Sequence, residues 1–235
     1  MMEQSQLVAH LVSRIIRLEQ PHPTRVAIDG PDAAGKTTLA QLLVAPLQAK
    51  GRPVIRASID GFHNPARLRH RRGGGSPEGY YHDSFNYGAL TESLLAPLGP
   101  AGSRRYVAAV FDYRTDSAVQ APSRTAEANA VLLFDGVFLL RSELLEYWDF
   151  TIFVEADFEI TLARAEQRDV MLFGSVAEVR KRYEQRYIPG QKLYYAEARP
   201  QERADVVVDN NDPKNPVLKN LLTQAKGGAR PSLSK

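Results

Sequence analysis

The chain contains no cysteine. This excludes a disulfide framework, a Cys-ligated zinc site and a thiol nucleophile. Also missing are any apolar run approaching the roughly 18 residues of a membrane span, internal repeats, heptads, and a cluster of histidines at metal-ligand spacing. Positive charge is in only slight excess, at +3 net with a pI near 9.1. That is too mild to argue for nucleic acid, since a polyanionic nucleotide also favours a basic cleft. The opening Met1-Met2-Glu3-Gln4 is polar and does not read as a secretory signal. The expectation is a cytoplasmic protein without membrane or nucleic-acid partners, with assembly into a homo-oligomer left open. What remains is globular in composition, 43% hydrophobic and 24% charged over 235 residues, enough to bury one sizeable core.

The most informative stretch is Val26 to Thr38, Val-Ala-Ile-Asp-Gly-Pro-Asp-Ala-Ala-Gly-Lys-Thr-Thr. Gly30, Gly35, Lys36 and Thr37 fill the fixed positions of G-x-x-x-x-G-K-[ST]. A loop of this length turns its backbone N–H groups inward around a polyphosphate, and side chains at the glycines would obstruct it. Gly30, Pro31, Asp32, Ala33, Ala34, Gly35, Lys36, Thr37 and Thr38 are therefore the expected nucleotide cradle. Lys36 would reach the β- and γ-phosphates of ATP, and the Thr37 hydroxyl would hold Mg²⁺. Context agrees: an apolar strand precedes the loop, and Leu39, Leu42, Leu43 and Leu47 follow at helical spacing.

Around this loop the periodicity predicts helix over about 3–20, strand over 24–29, helix from Lys36 to about Lys50 with Gly51 as its stop, and strand over 53–59. Asp60-Gly61-Phe62-His63 ends that second strand, where parallel sheets open their ligand crevice. Two readings of Asp60 stand: a base that takes the proton of an attacking hydroxyl, or a cap for the following turn. Arg67, Arg69, Arg71 and Arg72 read as a solvated face from which some side chains meet phosphate or substrate, and Gly73-Gly74-Gly75 as a hinge or disordered tip. The cluster from Tyr80 to Phe85, with Tyr81 in it, either walls a planar substrate or packs the hinge down.

Further on, the reading is helix over 86–98 and strand over 105–110 flowing into Phe111-Asp112-Tyr113-Arg114-Thr115-Asp116, rich in substrate-contact candidates. Ala130 to Phe134 is an apolar run typical of a strand covered on both faces, closed by Asp135, a carboxylate placed to orient Mg²⁺ or its waters. A helix is expected over 142–148, a strand over 150–154, and a helix over 156–169 carrying Arg164 and Arg168 on one face. Those two arginines either clamp a transferring phosphate or make ordinary surface salt bridges. A helix over 178–187 is expected to break at Pro189-Gly190 and resume over 191–197, before a last strand at 204–208. The tail from Lys226 is low in apolar content.

With these residues assembled, the chain resembles the uridine kinase and phosphoribulokinase group of P-loop kinases. The resemblance runs over about 24–212 and rests on an ordered series: residues 28–38, Ser-Ile-Asp-Gly-Phe at 58–62, Phe-Asp-Tyr at 111–113, Phe-Asp-Gly-Val-Phe at 134–138, Arg-x-x-x-Arg-Asp at 164–169, and Ala-Asp-Val-Val-Val-Asp-Asn at 204–210. It implies a three-layer α/β/α fold of the P-loop NTPase type, with a mostly parallel central sheet and a helical lid at about 157–200. An N-terminal helix (1–23) would pack on this domain, and a C-terminal helix and disordered tail (213–235) would follow it. It further implies that Asp60 is the catalytic aspartate, that Asp135 stands near Mg²⁺ where uridine kinases usually carry glutamate, and that Arg168 is a lid arginine meeting the phosphates. The implied activity is ATP-dependent phosphorylation of a primary hydroxyl on a small molecule, first of all a nucleoside such as uridine or cytidine. Phe62, Tyr81, Phe111, Tyr113 and Asp116 join Asp60 as the expected acceptor contacts. The sequence departs from the pattern mainly there: Phe-Asp-Tyr replaces Tyr-Asp-Phe, Asp116 stands about where a base-reading histidine would, and Ala165 replaces one lid arginine. Another nucleoside, a sugar or sugar phosphate, pantothenate, or a nucleotide-hydrolysing switch without an acceptor are the alternatives.

Overall fold

The computed structural model describes residues 2–219. Its organising element is the run of strands whose residues are apolar on both faces. Strands β1 (Thr24–Asp29), β2 (Val54–Ser58), β3 (Val131–Asp135), β4 (Phe150–Glu155), β5 (Val206–Asp209) and β6 (Val217–Lys219) form one sheet in the order β6-β5-β4-β1-β3-β2. All neighbours are parallel except β6, which runs antiparallel to β5. β1 and β3 are buried along their whole length, as expected of parallel strands covered on both faces.

Alternation along each strand sends side chains into two separate cores. Val26, Ile28, Val131, Leu133, Ile152 and Val154 face helices α1 (Gln4–Ile16) and α2 (Lys36–Ala49). Ala27, Leu132, Phe134 and Phe153 face the opposite layer, which holds Phe62, Phe138, Trp148 and Tyr194. Helix α1 starts with a capping box, the Gln6 side chain accepting from the Glu3 amide at 3.0 Å, and buries Leu7, Val8, Leu11, Val12 and Ile15. Helix α2 is followed by Gly51 at φ +73°, the left-handed residue that closes a helix.

Several expectations are corrected. The segment expected as a strand over 105–110 does not enter the sheet. It forms two minimal hairpins, Arg105–Tyr106 with Arg124–Thr125 and Phe111–Asp112 with Ser117–Ala118, while the Val107 and Val110 amides donate to the Ser93 and Gly61 carbonyls instead of to a neighbouring strand. The Gly73–Gly75 stretch is an ordered link between a short helix (Ala66–Arg69) and α3 (Pro77–Asp83), tied down by Arg186 donating to the Gly74 carbonyl. Pro189 does not break the chain. After α4 (Phe158–Arg168) and α5 (Val176–Arg182), one π turn (Tyr183–Tyr187) leads directly into α6 (Ile188–Ala198). The proline there follows directly on the wider π turn within a continuous helical run. The C-terminal helix is not found where the chain is described: Val217–Lys219 is strand β6, and the tail beyond lies outside the described residues.

Candidate active site

The loop between β1 and α2 is shaped by contacts only glycine permits. A Cβ on Gly30, at φ +146°, would stand 2.1 Å from the Val154 carbonyl oxygen. One on Gly35, at φ +102°, would stand 2.5 Å from the Asn210 Nδ2. The loop is thus clasped between β4 and the end of β5, and Asn210 adds a 2.6 Å hydrogen bond to the Ala34 carbonyl. Ala33 also takes a left-handed conformation, φ +58°, in a loop that turns its backbone inward. Lys36 is buried, donates to the Pro31 carbonyl at 2.6 Å, and has its pKa lowered by burial, with Asp32, Asp29 and Asp135 opposing that shift. A buried ammonium at the end of a glycine loop is suited to a phosphate oxygen. The glycine cradle fits a polyphosphate on these grounds.

Two neighbouring carboxylates are already engaged. Asp29 accepts from the Gly30 amide (2.7 Å), the Leu140 amide (3.2 Å) and the Tyr194 hydroxyl, and burial pushes its pKa up to about 6. Asp32 accepts from Tyr80 (2.6 Å) and from Gln191 Nε2 (2.9 Å), while its own amide donates to Gln191 Oε1 at 3.2 Å. Side chains from α3 and α6 therefore hold the phosphate loop from its outer side.

Thr37 Oγ1 donates to Asp135 Oδ2 at 2.7 Å, which joins the first turn of α2 to the end of β3. A hydroxyl and a carboxylate are hard oxygen donors of the kind Mg²⁺ takes beside phosphate, so the pair fits that ion. A cavity of about 510 Å³ runs from Thr37 and Thr38 past Arg164 and Arg168 to Asn210 and Pro213. Arg164 caps the Asn210 and Asn211 carbonyls at 2.9 and 3.0 Å. Arg168 pairs with Asp169 (2.7 and 2.9 Å) and reaches the Tyr183 hydroxyl. Both arginines line the cavity, Arg164 held by backbone carbonyls and Arg168 by a partly exposed salt bridge to Asp169.

Asp60 lies in a one-turn helix (Ile59–Phe62) directly after β2. The turn is capped by Ser58, whose Oγ accepts from the Asp60 amide at 3.3 Å. The Asp60 carboxylate itself accepts no hydrogen bond among the described residues, so it does not serve as the cap. It is open to solvent yet crowded by the cleft walls, and desolvation raises its pKa, with Asp32 and Asp135 adding to the rise and His63 and Lys36 opposing it. His63 Nδ1 lies 3.0 Å from the Asp60 carbonyl, and its ring meets Phe85 and Tyr113 at centroid distances of 4.6 and 4.8 Å. Burial lowers the His63 pKa, favouring the neutral ring.

The acceptor contacts expected from sequence separate into two groups. Phe111 and Tyr113, both half-buried, lie on or beside the small hairpin next to His63. Phe62 and Tyr81 are corrected to core residues. Phe62 is fully buried against Phe134, and Tyr81 packs under the Arg141 guanidinium, 5.0 Å from its centroid. Asp116, at φ +51° in the hairpin turn, is corrected to a structural role: it accepts from the Ala66 amide (2.8 Å) and Arg69 (2.9 Å), pinning hairpin to helix. Arg71 and Arg72 both pair with buried Asp83. The residues missed from sequence are His63, Asn210 and Gln191, the last of which holds Asp32 together with Tyr80. The Asp-Gly-Phe-His and Asp-Asn strand ends pointed toward the first two. Nothing local pointed to Gln191, 159 positions from its partner.

A glycine cradle at the end of a central parallel strand, a buried lysine at the following helix and an acidic β3 terminus define a P-loop kinase-type α/β protein. The chain belongs to the Phosphoribulokinase / Uridine kinase family, whose model matches residues 26–214. Among known proteins it is 28% identical over 204 residues to mouse uridine-cytidine kinase-like 1, covering 85% of this chain and 35% of that one. It is 26% identical over 153 residues to the uridine kinase of Saccharomyces cerevisiae, covering 65% of this chain and 30% of that one. The chain thus spans about a third of the length of each of these relatives. Among solved structures, a possible uridine kinase from Bacillus stearothermophilus superposes with a TM-score of 0.68 at 22% identity, covering 88% of this chain and 99% of that one. A candidate fructose transport system kinase from Silicibacter sp. TM1040 superposes with a TM-score of 0.70 at 25% identity, covering 84% and 96%. No described helix is long and apolar enough to cross a membrane.

Proposed function

We propose that this protein is an ATP-dependent kinase that phosphorylates a hydroxyl of a small molecule, with a nucleoside of the uridine or cytidine kind as first choice. The observation that carries the reading is the Asp60 carboxylate, free of hydrogen-bond partners among the described residues, at the end of β2 and within the electrostatic reach of Lys36. ATP with Mg²⁺, when bound, supplies the γ-phosphoryl group and the leaving ADP. Asp60 takes the proton as the O–H bond of the acceptor breaks, and its raised pKa moves it toward the neutral range where a base is most useful. Lys36 supplies fixed positive charge where negative charge grows, and Arg168, on the helical segment we read as a lid, faces the same cavity. Thr37 and Asp135 would hold the cation. His63 and Tyr113, a tilted ring pair, offer an aromatic surface for a planar base.

The test is turnover of Mg-ATP with a panel of nucleosides, sugars, sugar phosphates and vitamin precursors, following ADP and the mass of the product. One panel member should stimulate ADP release. Asp60→Asn should cut that transfer by about 10²- to 10⁴-fold while ATP binding stays nearly intact. Transfer should also rise with pH through a midpoint above the ordinary carboxylate range, because burial holds the Asp60 proton more tightly. ATP hydrolysis indifferent to every acceptor and to Asp60→Asn would instead favour a nucleotide switch.

A further inference from the structure

The corner read as the cation site already contains a positive charge belonging to the protein. Arg56 lies in β2, the edge strand, and pairs in register with Leu133. Its neighbours Ile55 and Ala57 face the core layer of Phe62 and Phe134, so strand alternation turns Arg56 to the opposite side, toward α2. There its Nη2 donates to Asp135 Oδ1 at 2.7 Å. The other carboxylate oxygen, Oδ2, accepts from Thr37 at the same distance. Both oxygens of a side chain only 5% exposed are therefore in use, one by a full positive charge.

The arginine is not placed there by good solvation. Its Nε and Nη1 are buried without partners among the described residues, so Asp135 is what compensates its burial. The converse also holds: the carboxylate that a hard cation would seek is already neutralised and oriented. A divalent ion entering alone would have to displace the guanidinium or share one negative charge with it. A polyphosphate brings several negative charges, so an ion arriving with it meets no such deficit.

We propose that Arg56 is a positioning residue for Asp135. It holds the carboxylate against Thr37 and cancels its charge, so the protein takes up a divalent cation only together with a nucleotide polyphosphate. The proposal rests on reading Thr37 and Asp135 as the cation corner.

Mn²⁺ alone is the probe, since carboxylate and hydroxyl sites accept it in place of Mg²⁺. Its free signal is followed by electron paramagnetic resonance while the full chain is titrated in, without nucleotide. Wild type and Arg56→Lys should leave Mn²⁺ free. Arg56→Met should bind one ion at least about tenfold more tightly, and the gain should vanish in Arg56→Met/Asp135→Asn. Arg56→Gln, also neutral and closer in polarity, gives the same reading if the methionine variant does not fold. Equal Mn²⁺ affinity in wild type and the folded neutral variant overturns the proposal, as does a gain that survives Asp135→Asn. A parallel titration with ATP separates the two levels of inference. If wild type binds Mn·ATP more tightly than metal-free ATP, the cation corner stands and only the role of Arg56 is at stake. If it does not, the corner itself is misread and the proposal falls with it.

Discussion

The two sides of the cleft are built differently. The donor side is a strand, a loop and a helix contiguous in sequence, with β1 buried end to end and its glycines pressed to 2.1 and 2.5 Å of neighbouring atoms by any added Cβ. The acceptor side joins a one-turn helix, two-residue hairpin strands and a helix of four residues, held by single side-chain ties such as Asp116 to Arg69. In the function proposed above, phosphate binding belongs to backbone inside a buried core and acceptor recognition to side chains carried by short elements. The Phe111–Asp112 and Ser117–Ala118 hairpin strands and the four-residue helix bury no side chain and so lie at the low end of local stability, whereas Ile59 and Phe62 anchor the one-turn helix in the core.

Variants on each side sharpen that contrast. The largest effect is expected on the donor side. Lys36→Met should lower single-turnover phosphoryl transfer by about 10³-fold and weaken ATP binding as well, read as product formed from radiolabelled ATP. Equal transfer by this variant would break the claim that the loop does electrostatic work.

Next comes Asp29, beneath the loop. Its carboxyl titrates near 6 in the folded chain against 3.8 ordinarily, so the folded state holds that proton more tightly than the unfolded one. The stability this confers is fully present below about pH 4 and lost as pH rises through about 6, roughly 3 kcal/mol in all. In Asp29→Asn this component disappears. The unfolding free energy of wild type minus that of the variant should therefore fall by that amount between pH 4 and pH 7, measured by urea denaturation. A pH-independent difference would mean that Tyr194 and the two amides hold Asp29 charged.

On the acceptor side the effects should be smaller. Tyr113→Ala removes the ring packed against His63 and should raise the acceptor KM about tenfold, the scale of one aromatic contact, with the ATP dissociation constant unchanged. A matching loss in ATP affinity would erase the division between the two sides. Smallest of all is Asp116→Ala. Its pair with Arg69 is solvent-exposed, and such pairs contribute little. Acceptor kinetics should move by less than about threefold, and a larger loss would return Asp116 to the list of direct substrate contacts.

Legibility followed the same division. Gly30, Gly35, Lys36 and Thr37 could be read because the loop's chemistry needs those residue types at a fixed spacing on consecutive backbone. Asp60 and Asp135 could be located because each ends an apolar run, and strand ends open onto the crevice. Phe62 and Tyr81 could not be assigned: an aromatic side chain near a cleft is core or wall according to what packs over it, here Phe134 and Arg141. The expected strand at 105–110 went wrong for a related reason, since its apolar residues suit a sheet but its amides at Val107 and Val110 are taken by the Ser93 and Gly61 carbonyls. The π turn before Pro189 was equally invisible, because the helix absorbs the proline only by widening one turn upstream.

By itself, then, the sequence determined the parallel core, the phosphate loop and the two strand-end carboxylates, because each is specified by local pattern: period-two or continuous burial, and backbone geometry that only particular residues allow. Only the tertiary structure decided which polar groups are free and which are spent. Asp32 is engaged by a glutamine 159 positions away, Asp135 by an arginine 79 positions away, and Asp60 by nothing among the described residues. Pairings over such distances depend on how whole layers stack, and no short-range pattern encodes them.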